Sequence, residues 1–319
     1  MAEAMRAFVT GATGQDGSYL AELLAERGDE VWGLYRGQEE TRLSGLSNGP
    51  VKWVRGDVTD SASLFDAVAT IRPHFVFNLA AASYVGLSWQ MPKLYMETNC
   101  GGTLSVLEAV RRFAPNAHLI QASTSEMYGQ NGGNELAPMN PVSPYGVSKL
   151  AAHHLCRIYR ETYDLRVSCA ISFNHESPRR PPIFVSRKVT QSAARIRAGL
   201  QDSLTLGNLD VWRDWGYAKD YMEAYILMAE AQKPDDYVVA TGVSHSLSEL
   251  VQIAFRAAGI ESEQVMSKLG DRPTDVYSLC GDPRKIEKRL GWRAKTSFEE
   301  IIRMMVEHDL SELMVSANA

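Results

Sequence analysis

Apolar residues along this chain fall alternately into short runs and helical stripes. Arg6-Ala7-Phe8-Val9-Thr10 is an apolar run, Gly11-Ala12-Thr13-Gly14-Gln15-Asp16-Gly17 follows it, and Tyr19, Leu20, Leu23 and Leu24 then recur at helical spacing. That order predicts a strand, a Gly-rich turn and a helix. Gly28-Asp29 ends the helix and residues 30–36 read as the next strand, giving the first unit the length of a βαβ. Further runs at 51–54, 75–79 and 118–122 are separated by helical stretches, so an open, mostly parallel sheet is expected. After Ile171-Ser172-Phe173 the alternation yields to a polar, Pro-rich passage over 174–182, read as the crossing into a smaller lobe. Tyr237-Val238-Val239-Ala240 is strand-like and implies a return to the first lobe. A final helix is expected over 298–310, with Ile301, Ile302, Met305 and Val306 on its apolar face. The expected fold class is α/β, a Rossmann-type doubly wound parallel sheet with a smaller α/β C-terminal substrate-binding domain. The division expected is residues 1–174 for the nucleotide-binding domain, with a return segment at 211–243, and 175–319 for the substrate-binding domain, interleaved in sequence.

With 319 residues, 45% of them apolar and 22% charged, the chain is long enough for one large domain and a smaller one. A net charge of -5 and the lack of a long Lys/Arg run argue against nucleic acid as a partner and favour small molecules. Cys100, Cys156, Cys169 and Cys280 are scattered and form no CxxC or Cys/His cluster. Neither a metal site nor a disulfide framework is therefore expected, and a reducing cytoplasm fits. The lead before the first apolar run is short and polar, and no stretch is apolar enough to span a bilayer, so neither secretion nor membrane insertion is expected.

The turn glycines, Gly11, Gly14 and Gly17, have the spacing G-x-x-G-x-x-G. Such a turn lets backbone approach a pyrophosphate while the helix N-terminus offers free N–H groups, although an ordinary βα connection has the same shape. At the end of the second strand stands Arg36, with Arg42 beyond it, where an acidic residue would hold a ribose 2′-hydroxyl. An arginine there suits a 2′-phosphate, so NADP(H) is the expected cofactor unless Arg36 is a solvated strand end. Asp57 can accept from an adenine with Val58 packed on its face, or it can simply stabilise a turn. Leu79, Ala80 and Ala81 let the chain lie close to the cofactor. Ligands gather at the carboxyl ends of parallel strands, so the Gly-rich turn, Ala80, Thr124 and Glu126 should face one crevice.

The chemistry is concentrated between residues 121 and 149, which read QASTSEMYG, a Gly- and Pro-rich loop, and SPYGVSK. Thr124, Glu126, Tyr145 and Lys149 supply a hydroxyl, a carboxylate, a phenol and an ammonium. Residues four apart on a helix are neighbours, so Lys149 is expected beside Tyr145, lowering its pKa until it can take a proton from a sugar hydroxyl.

At these residues the chain resembles the extended short-chain dehydrogenase/reductase group, and within it the GDP-mannose 4,6-dehydratase family. The likeness runs nearly end to end, through TGATGQDGSYLAELL, NLAAASYVG, ASTSEMYG, SPYGVSKL, FNHESPRR, FVSRKVTQ, LGNLDVWRDWGYAKDY and RPTDVYSLCGDPRK. Gln15-Asp16, the stretch from Asn174 to Pro178, and Arg213-Asp214-Trp215-Gly216 narrow it to this family. The resemblance implies that Tyr145 takes the C4 hydroxyl proton as hydride passes to NADP+. It also implies that Lys149 holds the ribose, Thr124 bonds the reacting oxygen, and Glu126 removes the C5 proton so that water leaves from C6. It places Gly11, Thr13, Gly14, Gln15, Asp16 and Gly17 at the cofactor. Ser83, Ser125, Asn174, Glu176, Arg180, Val185, Lys188, Gly207, Arg213 and Arg272 fall at the GDP-sugar, the three arginines suiting its phosphates. Each arginine alone can equally be a surface residue, Lys188 can be solvated, and Ser125 can point into the sheet.

Several substrate-facing segments depart from the family pattern. Ala82-Ser83-Tyr84 replaces Gln-Ser-His, the loop over 130–140 is short and ends in Pro141-Val142-Ser143, Pro181-Pro182-Ile183 replaces a Gly-acidic pair, and Trp212 stands where Lys is common. The alternatives kept open are a dehydratase of another GDP-hexose or GDP-heptose, and a reductase of GDP-4-keto-6-deoxy sugars. The region after the second strand is poorer in basic residues than in tetrameric relatives, so a homodimer is expected before a tetramer.

Overall fold

The computed structural model describes residues 4–37, 51–130, 132–260, 265–267 and 276–317. The first half yields β1 (Arg6–Thr10), β2 (Glu30–Tyr35), β3 (Val51–Arg55), β4 (Phe75–Asn78), β5 (His118–Thr124) and β6 (Val167–Ser172). Interleaved with them are α1 (Gln15–Glu26), α2 (Ser61–Ile71), α3 (Pro92–Tyr95), α4 (Gly102–Phe113) and α5 (Pro144–Tyr163). The second half adds β7 (Asn174–Glu176), β8 (Leu204–Leu206), β9 (Trp212–Tyr217), β10 (Asp236–Val239), β11 (Ser244–Ser246), β12 (Val265–Ser267) and β13 (Ser278–Leu279). Its helices are α6 (Val185–Arg197), α7 (Ala218–Glu230), α8 (Leu247–Ala258), α9 (Arg284–Leu290) and α10 (Phe298–Ala317).

Seven strands form one parallel sheet in the order β10-β6-β5-β4-β1-β2-β3. Its central strands are apolar on both sides because helices cover both faces. Ala7, Val9, Phe75 and Phe77 pack with α1 and α7, whereas Phe8 and Val76 point the other way, into α2, α4 and α5. Edge strand β3 is less buried and carries Lys52 and Arg55. The expected return to this sheet is made by β10, which pairs with β6. β9 instead joins β7, β11 and β13 in a smaller sheet. Helices α6, α8 and α10 close a separate apolar core over that sheet, with Trp215 stacked on Phe298 at 5.5 Å between ring centroids.

Two element ends run past the sequence-based expectation, and α6 is added to the elements expected. β5 runs on to Thr124, so this hydroxyl is the last residue of a strand. α6 begins at Val185, one turn before Lys188, and α10 continues to Ala317. A π-helical turn, Met96–Gly101, joins α3 to α4. Single π turns recur at functional sites, where they re-aim a side chain.

The side chain so placed is Asn99, which is 2% exposed. Its Oδ1 accepts from Ala82 N at 2.9 Å, while its Nδ2 donates to Ala82 O at 3.1 Å and to Ser148 Oγ at 2.9 Å. Ser148 Oγ in turn donates to Tyr145 O at 2.7 Å. A buried amide with three bonds of this kind leaves several polar groups unsatisfied when removed. Asn99→Ala should therefore lower stability by about 2–3 kcal/mol in urea denaturation. A loss within experimental error would show that water replaces the amide.

Candidate active site

The sheet reverses its winding between β1 and β4, and a crevice of about 820 Å³ opens at the carboxyl ends of the strands there. The Gly-rich turn forms one wall. Gly11 has φ +68°, and a β-carbon on it would lie 2.8 Å from Ala80 N; one on Gly17 would lie 2.2 Å from Gly11 O. No other residue fits at either place. A β-carbon on Gly14 would meet only Gly11 O, at 3.2 Å, and the helix it caps starts without a side-chain cap. Backbone N–H groups at such an uncapped start suit an anion. Thr10 Oγ1 accepts from both Leu79 N and Ala80 N at 3.1 Å, so the alanines are drawn toward the turn. Arg36 is exposed at the end of β2 and lines the same crevice, whereas Arg42 and the rest of 38–50 lie outside the described residues. Asp57 Oδ1 accepts from Thr59 N and Oγ1 at 2.9 and 2.8 Å, a turn-stabilising role, and Asp57 also lines the crevice beside Val58.

Thr124, Ser125, Glu126, Tyr145 and Lys149 meet at the centre of the crevice. Thr124 ends its strand with Oγ1 accepting from Glu126 N at 3.3 Å, which turns the chain so that three consecutive residues reach the same space. Ser143 caps α5 by accepting from Gly146 N at 3.0 Å, which fixes the helix start next to Tyr145. The expected lowering of the Tyr145 pKa does not occur. Burial pushes it up to about 12, and the Glu126 carboxylate adds to this; a hydrogen bond with Thr124 and the charge of Arg180 act the other way. The ammonium of Lys149 donates to Ala122 O at 2.6 Å on the neighbouring strand. Burial lowers the Lys149 pKa to about 8, partly offset by thiols and by Asp16. Desolvation therefore outweighs the i,i+4 effect read from sequence.

The opposite wall comes from the smaller lobe. Along β9 the side chains alternate, so Arg213 and Trp215 line the crevice. Asp214 faces away and accepts from Thr241 N, Thr241 Oγ1 and Gly242 N at 2.7–2.9 Å. Gly216 leaves room for Tyr221, whose ring would meet a β-carbon at 2.3 Å. Ser83, Asn174, Arg180, Val185 and Gly207 also line the crevice. Glu176 does not: it is buried behind Arg180, accepts from Ser186 Oγ, and lies 3.1 Å from Arg180 Nε, whose N–H points off the line of a hydrogen bond. Lys188 also sits away from it, donating to Thr205 O at 2.8 Å. Arg272 lies outside the described residues.

The sequence alone did not single out several residues in or behind the crevice wall. His175 and Phe184 stood inside motifs used only for their likeness. Asn99 and Tyr95, which supports Tyr145 edge-on at 6.2 Å, carried one available signal, a lone polar or aromatic residue in a helical stripe.

The family model for GDP-mannose 4,6 dehydratase matches residues 8–305. The chain belongs to this family. It is 44% identical to GDP-mannose 4,6 dehydratase 1 of Arabidopsis thaliana, over 95% of this chain and 89% of that protein. The Homo sapiens GDP-mannose 4,6 dehydratase is 37% identical over 98% of this chain and 93% of its own. Among solved structures, UDP-glucose 4-epimerase of Thermotoga maritima with UDP-glucose superposes with a TM-score of 0.88 at 25% identity, covering 97% of this chain and 100% of that one. The structure of RMD from Pseudomonas aeruginosa complexed with NADPH gives 0.80 at 25% identity, covering 97% and 100%.

Two of the departures from the dehydratase family pattern meet at one ring, Phe184, in the crevice wall. Tyr84 meets Phe184 edge-on at 5.8 Å, and the Arg180 guanidinium lies 3.6 Å over the Phe184 ring. The substituted Pro181-Pro182-Ile183 segment leads into that ring, with Phe184 N donating to Pro181 O at 3.1 Å.

Lys149 illustrates the cost of such a site. A fall from 10.5 to about 8 means that holding its charge in the folded protein costs about 3 kcal/mol at neutral pH. The folded pKa lies below the unfolded one, so the penalty is full below pH 8 and fades as pH rises to the unfolded value. Lys149→Met loses that penalty and leaves Ala122 O with its second donor, Gln121 Nε2 at 3.0 Å, so its Tm should stay level or rise in calorimetry while turnover falls at least a hundredfold or so. A drop of several degrees would show that the ammonium stabilises the fold.

Proposed function

We propose that this chain is a GDP-mannose 4,6-dehydratase using NADP as a recycled cofactor, with Thr124, Glu126, Tyr145 and Lys149 as its catalytic set. The observation that carries this reading is the Glu126 carboxylate in the same crevice as Tyr145 and Lys149. A phenol and an ammonium suit oxidation of an alcohol; an added carboxylate supplies a base for the carbon next to the resulting ketone.

The glycine contacts at Gly11 and Gly17, the open face of Gly14 and the exposed Arg36 are what a phosphorylated dinucleotide requires of its site. When bound, the nicotinamide supplies the hydride chemistry the side chains lack, accepting from C4 and donating to C6. Tyr145 oxygen receives the C4 hydroxyl proton, with Thr124 holding that oxygen. Lys149 favours the phenolate by its charge. The ketone acidifies the C5 proton, which passes to Glu126; the electron pair forms the C5–C6 double bond, the C6–O bond breaks, and the hydroxyl leaves with a proton as water. A proton then returns to C5 as hydride reaches C6, so the sugar loses water with no net redox change. Arg180 and Arg213 meet the diphosphate, and Ser83, Ser125, Asn174, Val185 and Gly207 surround the rest of the GDP-sugar.

Incubation with GDP-mannose and a trace of NADP+ should give many equivalents of the 4-keto-6-deoxy product. Stoichiometric consumption of NADPH, seen only when a ketone is supplied, would favour a reductase instead. In Glu126→Gln, product formation should fall by roughly 10²–10⁴ while reduced nicotinamide still accumulates in a single turnover, because C4 oxidation does not need the carboxylate. Unchanged turnover in this variant would remove Glu126 from the mechanism. Arg36→Ala should weaken NADP+ binding by about tenfold in calorimetry and leave NAD+ unaffected; equal losses for both would remove the 2′-phosphate assignment.

A further inference from the structure

Two stretches of sequence more than 150 residues apart meet beside the Gly-rich turn. His175 Nε2 lies 2.9 Å from Asp16 Oδ2, and its Nδ1 lies 2.7 Å from Phe173 O. A carboxylate and a carbonyl only accept, so both ring nitrogens carry hydrogen and the ring is an imidazolium. Around this pair, Gln15 Nε2 donates to Asp16 Oδ1 at 3.0 Å and to His175 O at 3.2 Å, and Ser177 Oγ donates to Gln15 Oε1 at 2.8 Å. The ring of Tyr221 lies against His175 at 4.9 Å. Burial alone would neutralise both partners. Their mutual charge and hydrogen bond more than reverse this, bringing Asp16 to about 2 and raising His175 above the ordinary value. Other groups face the pair: the Arg180 charge opposes the His175 proton, Lys149 feels Asp16 from α5, and the Tyr225 phenol feels it from α7.

We propose that Asp16 and His175 form an ionic clasp between the Gly-rich turn and the passage into the smaller lobe. In it, His175 is a positioning residue that neutralises the Asp16 carboxylate where a cofactor diphosphate must approach. The second half rests on the cofactor reading above. Asp16 belongs to the turn expected to receive phosphate, and an unpaired carboxylate there would repel it. The partner that cancels this charge is fixed to the backbone of the passage by its other nitrogen. When pH rises through the His175 pKa the ring can donate from one nitrogen only. Either Phe173 O or Asp16 then loses its donor, and the negative charge at the turn is no longer offset.

The test uses the full chain. Imidazole nitrogen NMR spectra, with His175 identified by its loss in His175→Gln, should show both nitrogens protonated at pH values where the exposed histidines are neutral. Asp16→Asn should return that ring to ordinary behaviour. A His175 that is neutral at pH 7 overturns the clasp whether or not any cofactor binds. NADPH affinity, followed by fluorescence from about pH 6 to pH 9, should fall roughly tenfold more in the wild type than in His175→Gln, whose remaining slope belongs to Lys149. The double variant Asp16→Asn/His175→Gln should regain most of the affinity lost in His175→Gln, since neither charge is left alone. An equal pH slope in wild type and His175→Gln, or no recovery in the double variant, overturns the charge role. A protonated His175 in a protein that binds no nicotinamide dinucleotide overturns the cofactor reading and the diphosphate half of the proposal, and supports the clasp.

Discussion

Parallel strands that end inside a protein leave polar groups where helices cannot bond them, and this chain meets that constraint with a single buried ladder. Thr10 Oγ1 donates to Asn78 Oδ1, and Asn78 Nδ2 to Gln121 Oε1, each at 2.7 Å, across the ends of β1, β4 and β5. Thr103 links this row to the helical turn of Asn99, which holds Ala82 on one side and Ser148 on the other. Groups in such a network are either all satisfied or costly. The positions of the Ala80 segment and of Tyr145 are therefore not independent: both hang from the same chain of amides and hydroxyls. The π turn at Met96–Gly101 belongs to the same constraint, since it places the Asn99 amide between the two.

That rigidity lets the crevice hold ionisable groups in states that water would not favour. Tyr145 is buried far enough for its phenol to stay protonated well above neutral pH, while Lys149 is held close to losing its charge. Left alone, Tyr145 is not primed to take up a proton at neutral pH. Both shifts come first from desolvation, and desolvation is what a ligand entering the crevice alters, along with the charges of Glu126 and Arg180 that already bear on Tyr145. The groups are thus set by their surroundings to respond to what binds, which the i,i+4 spacing by itself does not describe.

The sheet was legible because buried parallel strands write apolar runs, as at 75–79 and 118–122, while the edge run at 51–54, broken by Lys52, also became a strand. The crevice was legible for a related reason: its walls are strand ends and the turns after them, so residues just past each run fall together. What stayed hidden was whatever depends on a partner distant in sequence. The Lys149 ammonium bonds Ala122 O, which spacing within a helix cannot show. Glu176 is two residues from Asn174, a spacing that puts both on one strand face, yet it is buried behind Arg180 and held by Ser186 Oγ instead of lining the crevice. Asn99 looked like one polar residue in a stripe, because its role arises only once the helix winds irregularly.

The same logic explains why the chain's family-specific stretches are the ones they are. Gln15-Asp16 and the stretch from Asn174 to Pro178 touch each other through Asp16–His175 and Gln15–Ser177, so neither makes physical sense without the other. In Arg213-Asp214-Trp215-Gly216 every second residue serves the crevice while its neighbours fix the strand, Asp214 through backbone and hydroxyl donors from Thr241 and Gly242, Gly216 by making room for Tyr221. Tyr221 is also the ring against His175. The Gly-rich turn, the passage between lobes and the β9 strand are thus one packed unit meeting at His175 and Tyr221, and a change in any of them is felt at the other two. Tyr84 and Phe184, the ring to which the substituted 181–183 segment leads, lie outside that unit and meet at 5.8 Å across the crevice. Substitution there alters the shape offered to a ligand and reaches the charged groups only through Arg180, which lies over the Phe184 ring, so this is where a chain with this core has room to differ.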